Sequence, residues 1–190
     1  WVAGKAPNHG LLITGGGISP DAATQATPLF QEAPIHPSYM DLFTGNGISG
    51  SLGETCKLAL LIGGLYLILR KRVDWRIPLF YIGTVFVMTA FLPTPEGAPG
   101  WIDDPFYHVL AGGLFLGAFF MATDMVTTPL TPRGRIIFAV GCGLLVAIIR
   151  FYGGYPEGVA YSILLMNTTV PLIDRWCRPT AYGSTTPKAA

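Results

Sequence analysis

Few residues in this chain can do chemistry, and they fall into two groups. The stretch DAATQATPLF, Asp21 to Phe30, places two threonine hydroxyls, Thr24 and Thr27, in a polar loop flanked by glycine and proline. Asx and Thr residues in such company are common turn formers. The loop alone does not decide whether either hydroxyl is more than that. The second group is four ionisable side chains close to apolar runs: Glu54, His108, Asp124 and Glu157. Ionisable groups at membrane depth are costly and therefore point to function. Each also has a plainer reading. Glu54 and Glu157 fall near helix N-termini, where the helix dipole favours an acid. His108 lies two residues into an apolar run and suits a hydrogen-bonded packing role; no second histidine falls in such a run to make a haem-ligand pair. Asp124 ends a run and suits capping of the turn that follows.

The cysteines, Cys56, Cys142 and Cys177, are far apart and show no C-x-x-C spacing. This argues against a zinc or iron–sulfur site held by this chain, so no metal is expected. Cys142 sits inside an apolar run and is expected to pack as a small residue.

These groups must be carried by elements suited to a bilayer. The 190 residues are 51% hydrophobic and 12% charged, with mean hydropathy +0.47. Soluble domains carry about 25% charged residues. The net charge of +1 and the lack of a basic stripe leave no footprint for nucleic acid. The chain opens on Trp1, and WVAGKAPNHG has none of the parts of a signal peptide. A fragment of a longer chain is expected.

Five apolar runs follow a Gly-, Pro-, Ser- and Thr-rich region over 1–50: Leu58–Leu69, Ile77–Leu92, Phe106–Ala122, Ile136–Ile149 and Val159–Leu172. Several are shorter than the roughly 20 residues a spanning helix needs, and reach that length only with their polar flanks. Buried helices of a soluble bundle are the competing reading, and so many runs with so few charges fit it poorly. Tyr39 to Phe43 is expected to form a short interfacial helix. Basic residues cluster at alternating ends of the runs: Arg70, Lys71, Arg72 and Arg76, then Arg133 and Arg135, then Arg175 and Arg178. The other ends carry Glu96, Asp103, Asp104 and Glu157, with Lys57 and Arg150 as basic exceptions. By the positive-inside rule the first group is cytoplasmic, which puts residues 1–50 outside and the C-terminus inside.

Helix starts are legible. Ser51 and Glu54 stand at capping-box spacing. Thr131 suits an N-cap with Pro132 at the first helical position, and Pro156 suits another first position. Glycines at Gly63, Gly64, Gly112, Gly113, Gly117, Gly141 and Gly143 would let helices approach closely or leave room for a flat ligand.

Four separated stretches, DAATQATPL, SGSLGETCKLALLIGG, ATDMVTTPLTPRGR and YGGYPEGVAYSILLMN, together resemble the D-subunit family of the Rnf complex, from about Gly15 to Pro179. That family belongs to an ion-translocating oxidoreductase linking ferredoxin and NAD. A relative is the B subunit of the sodium-translocating NADH:quinone reductase. Family chains are longer, with two related halves; this sequence resembles the C-terminal half and the loop between halves. The resemblance implies an all-α polytopic membrane protein, with five transmembrane or broken helices forming one half of a two-repeat bundle. The expected division is 1–50 as an outer-face loop, 51–179 as the membrane domain and 180–190 as a polar tail.

The resemblance also gives Thr27 a role. The family carries FMN as a phosphoester on threonine in a motif D-x-x-[ST]-x-A-T, which here reads Asp21, Thr24, Ala26 and Thr27. Thr27 is the implied attachment site, and Asp21, Thr24 and Ala26 belong to the recognition motif. Gln25 stands where many members have glycine, and Cys56 where serine is frequent. A non-covalent riboflavin among the helices is a further implied cofactor. Implied partners are the lipid bilayer, other membrane, flavin or iron–sulfur subunits of the complex, and a flavin transferase for maturation. The implied location is a bacterial cytoplasmic (inner) membrane, with the flavin loop on the periplasmic face. The expected function is electron transfer through FMN on Thr27, coupled to cation translocation, with Glu54 and Glu157 on the ion path and His108 and Asp124 as polar membrane positions. The alternatives are a passive channel or transporter, or a structural anchor, without redox chemistry.

Overall fold

The computed structural model describes residues 38–45, 53, 55–92, 104–152 and 157–177. Every regular element among them is a helix: α1 Tyr39–Thr44, α2 Lys57–Leu69, α3 Arg76–Phe91, α4 Pro105–Leu110, α5 Leu114–Leu116 running into π-helical turns over Gly117–Met121, α6 Pro132–Tyr152 and α7 Val159–Trp176. Four of the five apolar runs of the sequence each fall on one helix, with Leu92 as the C-cap of α3, and the third is divided. Among the described helices α6 alone is both long and apolar enough to cross a membrane unaided; α2 and α3 are shorter apolar helices. At 21 residues, α6 extends about 32 Å, near the thickness of a hydrocarbon core.

The sequence explains where α6 begins. Thr131 Oγ1 accepts from the amide of Gly134 at 3.1 Å, and Pro132 occupies the first helical position. This satisfies one of the amides that a helix start leaves without a partner. The expectation for Pro156 is corrected: α7 starts at Val159, with Gly158 as its N-cap, so Pro156 precedes the helix and lies outside the described residues. The reason is steric. A Cβ on Gly158 would lie 2.7 Å from a methyl of Ile149, so the chain turns against α6 at this glycine before helix begins. The proposed capping box of Ser51 and Glu54 also lies outside the described residues.

The third apolar run is divided. Asp104 caps α4, accepting from the amide of Phe106 at 3.0 Å, and Tyr39 Oη of α1 donates to its other carboxylate oxygen. After Leu110 the backbone becomes extended at Ala111, and Gly112 takes φ +73, a left-handed conformation that favours glycine. Helix resumes at Leu114.

The core lies between α3, α6 and α7, with the π-helical turns packed against them. Tyr81, Val85, Phe138, Ala139, Cys142 and Val146 are all fully buried there, so Cys142 packs as a small core residue. Gly143 sets the closest approach of α6 to α3: an added Cβ would lie 2.6 Å from Thr84 Cβ and 3.0 Å from the carbonyl oxygen of Tyr81. Outward-facing positions are apolar as well, including Ile62, Leu65, Leu79, Val87, Ile148 and Leu164. Helices apolar on their outer faces suit lipid or further protein rather than water.

Two contacts join the ends of different helices. Arg135 Nη1 of α6 meets Asp74, ahead of α3, at 2.8 Å, and the amide of Leu130 donates to Asp174 of α7 at 3.1 Å. The clustered basic residues of the α2–α3 turn, of the start of α6 and of the end of α7 therefore share one end of the bundle.

Candidate functional site

The opposite end gathers polar groups where the third run breaks. The last carbonyls of any helix lack intrahelical donors. In α4 one of them, the carbonyl of His108, accepts from Arg150 Nη1 at 2.6 Å. Arg150 lies near the C-terminal end of α6, so α6 supplies a cation to the negative end of the α4 dipole. The His108 ring, itself buried, packs at a tilt on Phe151 with centroids 5.4 Å apart. The Glu157 carboxylate acts electrostatically on Arg150. The Arg150 Nε and Nη2 atoms are out of contact with solvent and have no hydrogen-bond partner among the described residues. The structure therefore brings His108 and Glu157 together around a third residue, Arg150.

Chemically this is a fixed dipole in a poorly solvated place. Burying a guanidinium is expensive unless a carboxylate and good hydrogen bonds compensate it. The positive charge of Arg150 acts on Glu157 and so opposes a free cation there.

A second polar chain crosses the core. Ser162 Oγ donates to the carbonyl of Val159 at 2.8 Å, using its one proton. Tyr81 Oη, 2.8 Å from Ser162 Oγ, is therefore the donor in that contact. Lys57, the first residue of α2, is 2% exposed.

Asp124 stands apart from this cluster. It is exposed in the turn after the π-helical segment, where its carboxylate accepts from Thr127 Oγ1 at 3.3 Å and its carbonyl from Thr128 Oγ1 at 2.8 Å. The attachment motif, Asp21, Thr24, Ala26 and Thr27, lies outside the described residues, as does Glu54. No group of three or more His, Cys, Asp or Glu residues capable of holding a metal occurs among the described residues.

The basic end is held by Asp74. Burial pushes its carboxyl up, but hydrogen bonds from Arg135 and from the Arg76 amide, with the charges of both arginines, outweigh this and hold it below the usual carboxylate range. Arg76 Nη1 lies 3.3 Å from the same carboxylate.

Sequence reasoning singled out neither Arg150, nor Asp74, nor the Tyr81–Ser162 pair as a site. For Arg150 and Lys57 a signal existed: they are the two basic residues on the acidic side of an otherwise alternating charge pattern. Lys57 is buried, and Arg150 withdraws most of its guanidinium from solvent, so neither is an ordinary surface charge.

Comparison with known proteins adds a separate line. The NQR2, RnfD, RnfE family model matches residues 1–183. The chain is 49% identical over 170 residues to the D subunit of the Na(+)-translocating ferredoxin:NAD(+) oxidoreductase complex of Acetobacterium woodii, covering 87% of this chain and 51% of that protein. It is 47% identical over 175 residues to the D subunit of the proton-translocating ferredoxin:NAD(+) oxidoreductase complex of Clostridium ljungdahlii, covering 86% and 52%. It is 47% identical over 188 residues to the D subunit of the ion-translocating oxidoreductase complex of Stutzerimonas stutzeri, covering 92% and 52%. The chain thus spans about half the length of the curated relatives it matches.

Proposed function

The chain belongs to the NQR2, RnfD, RnfE family, and from that premise we propose that it is part of a flavin-bearing membrane subunit of an electron-transport-driven ion pump. The observation that carries this reading is the match over 1–183, which takes in both the helical bundle and the Asp21–Thr27 motif. Subunits named for oxidoreductase complexes are 47–49% identical to it, which favours the redox reading over a passive channel or an anchor. Sodium- and proton-translocating relatives match almost equally well, so overall identity does not select the ion.

In this reading Thr27 Oγ1 is the ester oxygen that holds FMN, and Asp21, Thr24 and Ala26 present it to a flavin transferase. A threonine hydroxyl in a Gly- and Pro-flanked loop has the chemistry and the access that a phosphoester requires. Bound there, the flavin would supply one-electron chemistry, while the protein supplies position and electrostatics. A riboflavin among the helices remains part of the proposal without assigned residues. Residues 1–50 would form the outer loop, 51–179 the membrane domain of five crossing or broken helices, and 180–190 a cytoplasmic tail. The gathering of the basic residues at one end supports taking that end as cytoplasmic. The broken third run, with a helix end inside the bundle, resembles the discontinuous helices on which transporters build ion sites. Glu54 and Glu157 are the proposed ion-path carboxylates. Other subunits of the same complex are the proposed electron donors and acceptors.

The test is in-gel fluorescence of the denatured full-length protein, made beside a working flavin transferase, with peptide mass spectrometry over Asp21 to Phe30. The expected result is fluorescence that survives denaturation, an FMN phosphate adduct on Thr27, and loss of both in Thr27→Ala. An unmodified Thr27 would turn the reading towards a transporter or an anchor.

A further inference from the structure

At the basic end of the bundle a cavity of about 540 Å³ opens between the α2–α3 turn and the segment leading into α6. Its charged lining is Lys71, Arg72, Asp74 and Arg135. Asp74 is already engaged by Arg135 and Arg76. Lys71 and Arg72 are exposed, and neither forms an ion pair with a described residue. The turn that presents them is ordered: Lys71 N donates to the Ile68 carbonyl at 2.9 Å and Arg72 N to the Leu67 carbonyl at 3.0 Å. Lys71 adopts φ +56, the left-handed position after a helix where glycine is favoured. The chain thus keeps a long cationic side chain at a place where the backbone would prefer none.

The rim of the same cavity is apolar and open. Trp75, Met125 and Leu130 line it and are 52%, 77% and 74% exposed. Free phosphate would use the cations and leave these residues bare. An amphiphile uses both. Tryptophan and clustered basic residues at one end of a membrane bundle are the features that mark headgroup depth.

We propose that this cavity binds the headgroup of an anionic phospholipid, with Lys71 and Arg72 on the phosphate and Trp75, Met125 and Leu130 against the first part of the acyl chains. Arg135 stays in its clasp with Asp74 and contributes field rather than a contact. The proposal rests on the bundle lying in a bilayer and not on the flavin, so it stands or falls separately from modification of Thr27.

The test is native mass spectrometry of the full-length protein in detergent, with phosphatidylglycerol and phosphatidylcholine of matched acyl chains. The wild type should retain phosphatidylglycerol about thirtyfold better, the scale expected of two cations near a charged headgroup. The double variant Lys71→Gln, Arg72→Gln should bring the two lipids close to parity, with helical circular dichroism unchanged. Equal retention of both lipids by the wild type, or an undiminished preference in the variant, overturns the proposal. Displacement of phosphatidylglycerol by an equal concentration of inorganic phosphate would assign the site to the free ion and also overturns it. Crosslinking of Lys71 to another subunit in the intact complex would make the surface a protein-docking face, with the same consequence.

Discussion

Arg150 Nη1 donates to the carbonyl of His108 at 2.6 Å, tying the end of α6 to the end of the broken helix α4 across 42 positions. The contact explains how a chain can stop a helix inside an apolar bundle. The carbonyl end of α4 meets a cation, and the cation lies within the electrostatic reach of Glu157. Arg150→Met removes the cap and the positive charge that acts on Glu157. The expected loss is about 1.5–3 kcal/mol, the range for a hydrogen bond from a charged donor. The double variant Arg150→Met, Glu157→Gln should recover part of it. Thermal unfolding of the purified full-length protein checks both; equal losses in the single and double variants would remove the pairing from the explanation.

Glu157 is a candidate for two roles that one substitution separates. As an ion-path carboxylate it must lose or exchange its partner during turnover; as the counter-charge of Arg150 it must not. On the proposed function, Glu157→Gln is expected to lower coupled ion transport in vesicles carrying the whole complex, while the flavin fluorescence proposed for Thr27 persists. Transport at the wild-type rate, with a melting point lowered by several degrees, would leave Glu157 as the partner of Arg150 alone. For a chain of this size a loss of about 1 kcal/mol moves the midpoint by roughly 2–4 °C.

The Tyr81–Ser162 contact carries an asymmetric prediction. Tyr81→Phe takes away a donor, yet Ser162 keeps its bond to the Val159 carbonyl. The expected cost is about 0.5–1.5 kcal/mol. Ser162→Ala instead leaves the fully buried Tyr81 hydroxyl without its acceptor, at a cost of about 1–3 kcal/mol. Denaturation of the two single variants should therefore rank Ser162→Ala as the more damaging, although each removes a single oxygen.

Close packing at Gly143 can be tested in the same assay. Gly143→Val places branched carbon where a Cβ alone would come within 2.6 Å of Thr84 Cβ and 3.0 Å of the Tyr81 carbonyl. Neither neighbour is the far end of a flexible side chain, so α3 and α6 must move apart. The expected loss is about 1–3 kcal/mol, the usual cost of overpacking. Gly83, where an added Cβ meets nothing within 4 Å, should tolerate alanine and serves as the control.

The difference between Gly143 and Gly83 shows what the sequence made legible and what it did not. The sequence marks Gly143 as a small residue in an apolar run, and Gly83 lies in such a run too; only the three-dimensional approach of α6 to α3 separates them. The helical runs themselves were legible, because unbroken apolar stretches between basic and acidic flanks have few other uses. So was the start of α6, where Thr131 and Pro132 act within a single turn. Pro156 reads as the start of α7, but the helix begins at Val159, after a glycine whose close approach to Ile149 on a different helix no local pattern shows. The sequence marks His108 and Glu157 separately, but the residue near both, Arg150, is legible only as an exception to the charge pattern. The proposed attachment role of Thr27 rests on a resemblance of motifs, because a turn threonine and a modified one look alike in composition.

Asp74 gives a prediction whose sign depends on pH. Arg135 and Arg76 hold its carboxylate, and its folded pKa lies below the ordinary value of 3.8. A lowered folded pKa means that the ionised form is favoured by folding. Its contribution is therefore fully present above about pH 4–5, where the unfolded group is also ionised, and is lost as pH falls through the lower folded value. Asp74→Asn removes this dependence along with the charge. At neutral pH the variant should be less stable by about 1.5–3 kcal/mol, the range for hydrogen bonds to a charged group. As pH falls below about 4 the wild type should lose stability more steeply, so the two melting curves converge. Because Asp74 also helps to hold the α2–α3 turn against α6, proteolysis near Lys71 and Arg72 should quicken in the variant at neutral pH. A constant gap between wild type and Asp74→Asn across the acid range would show that the residue acts through shape and not through its charge.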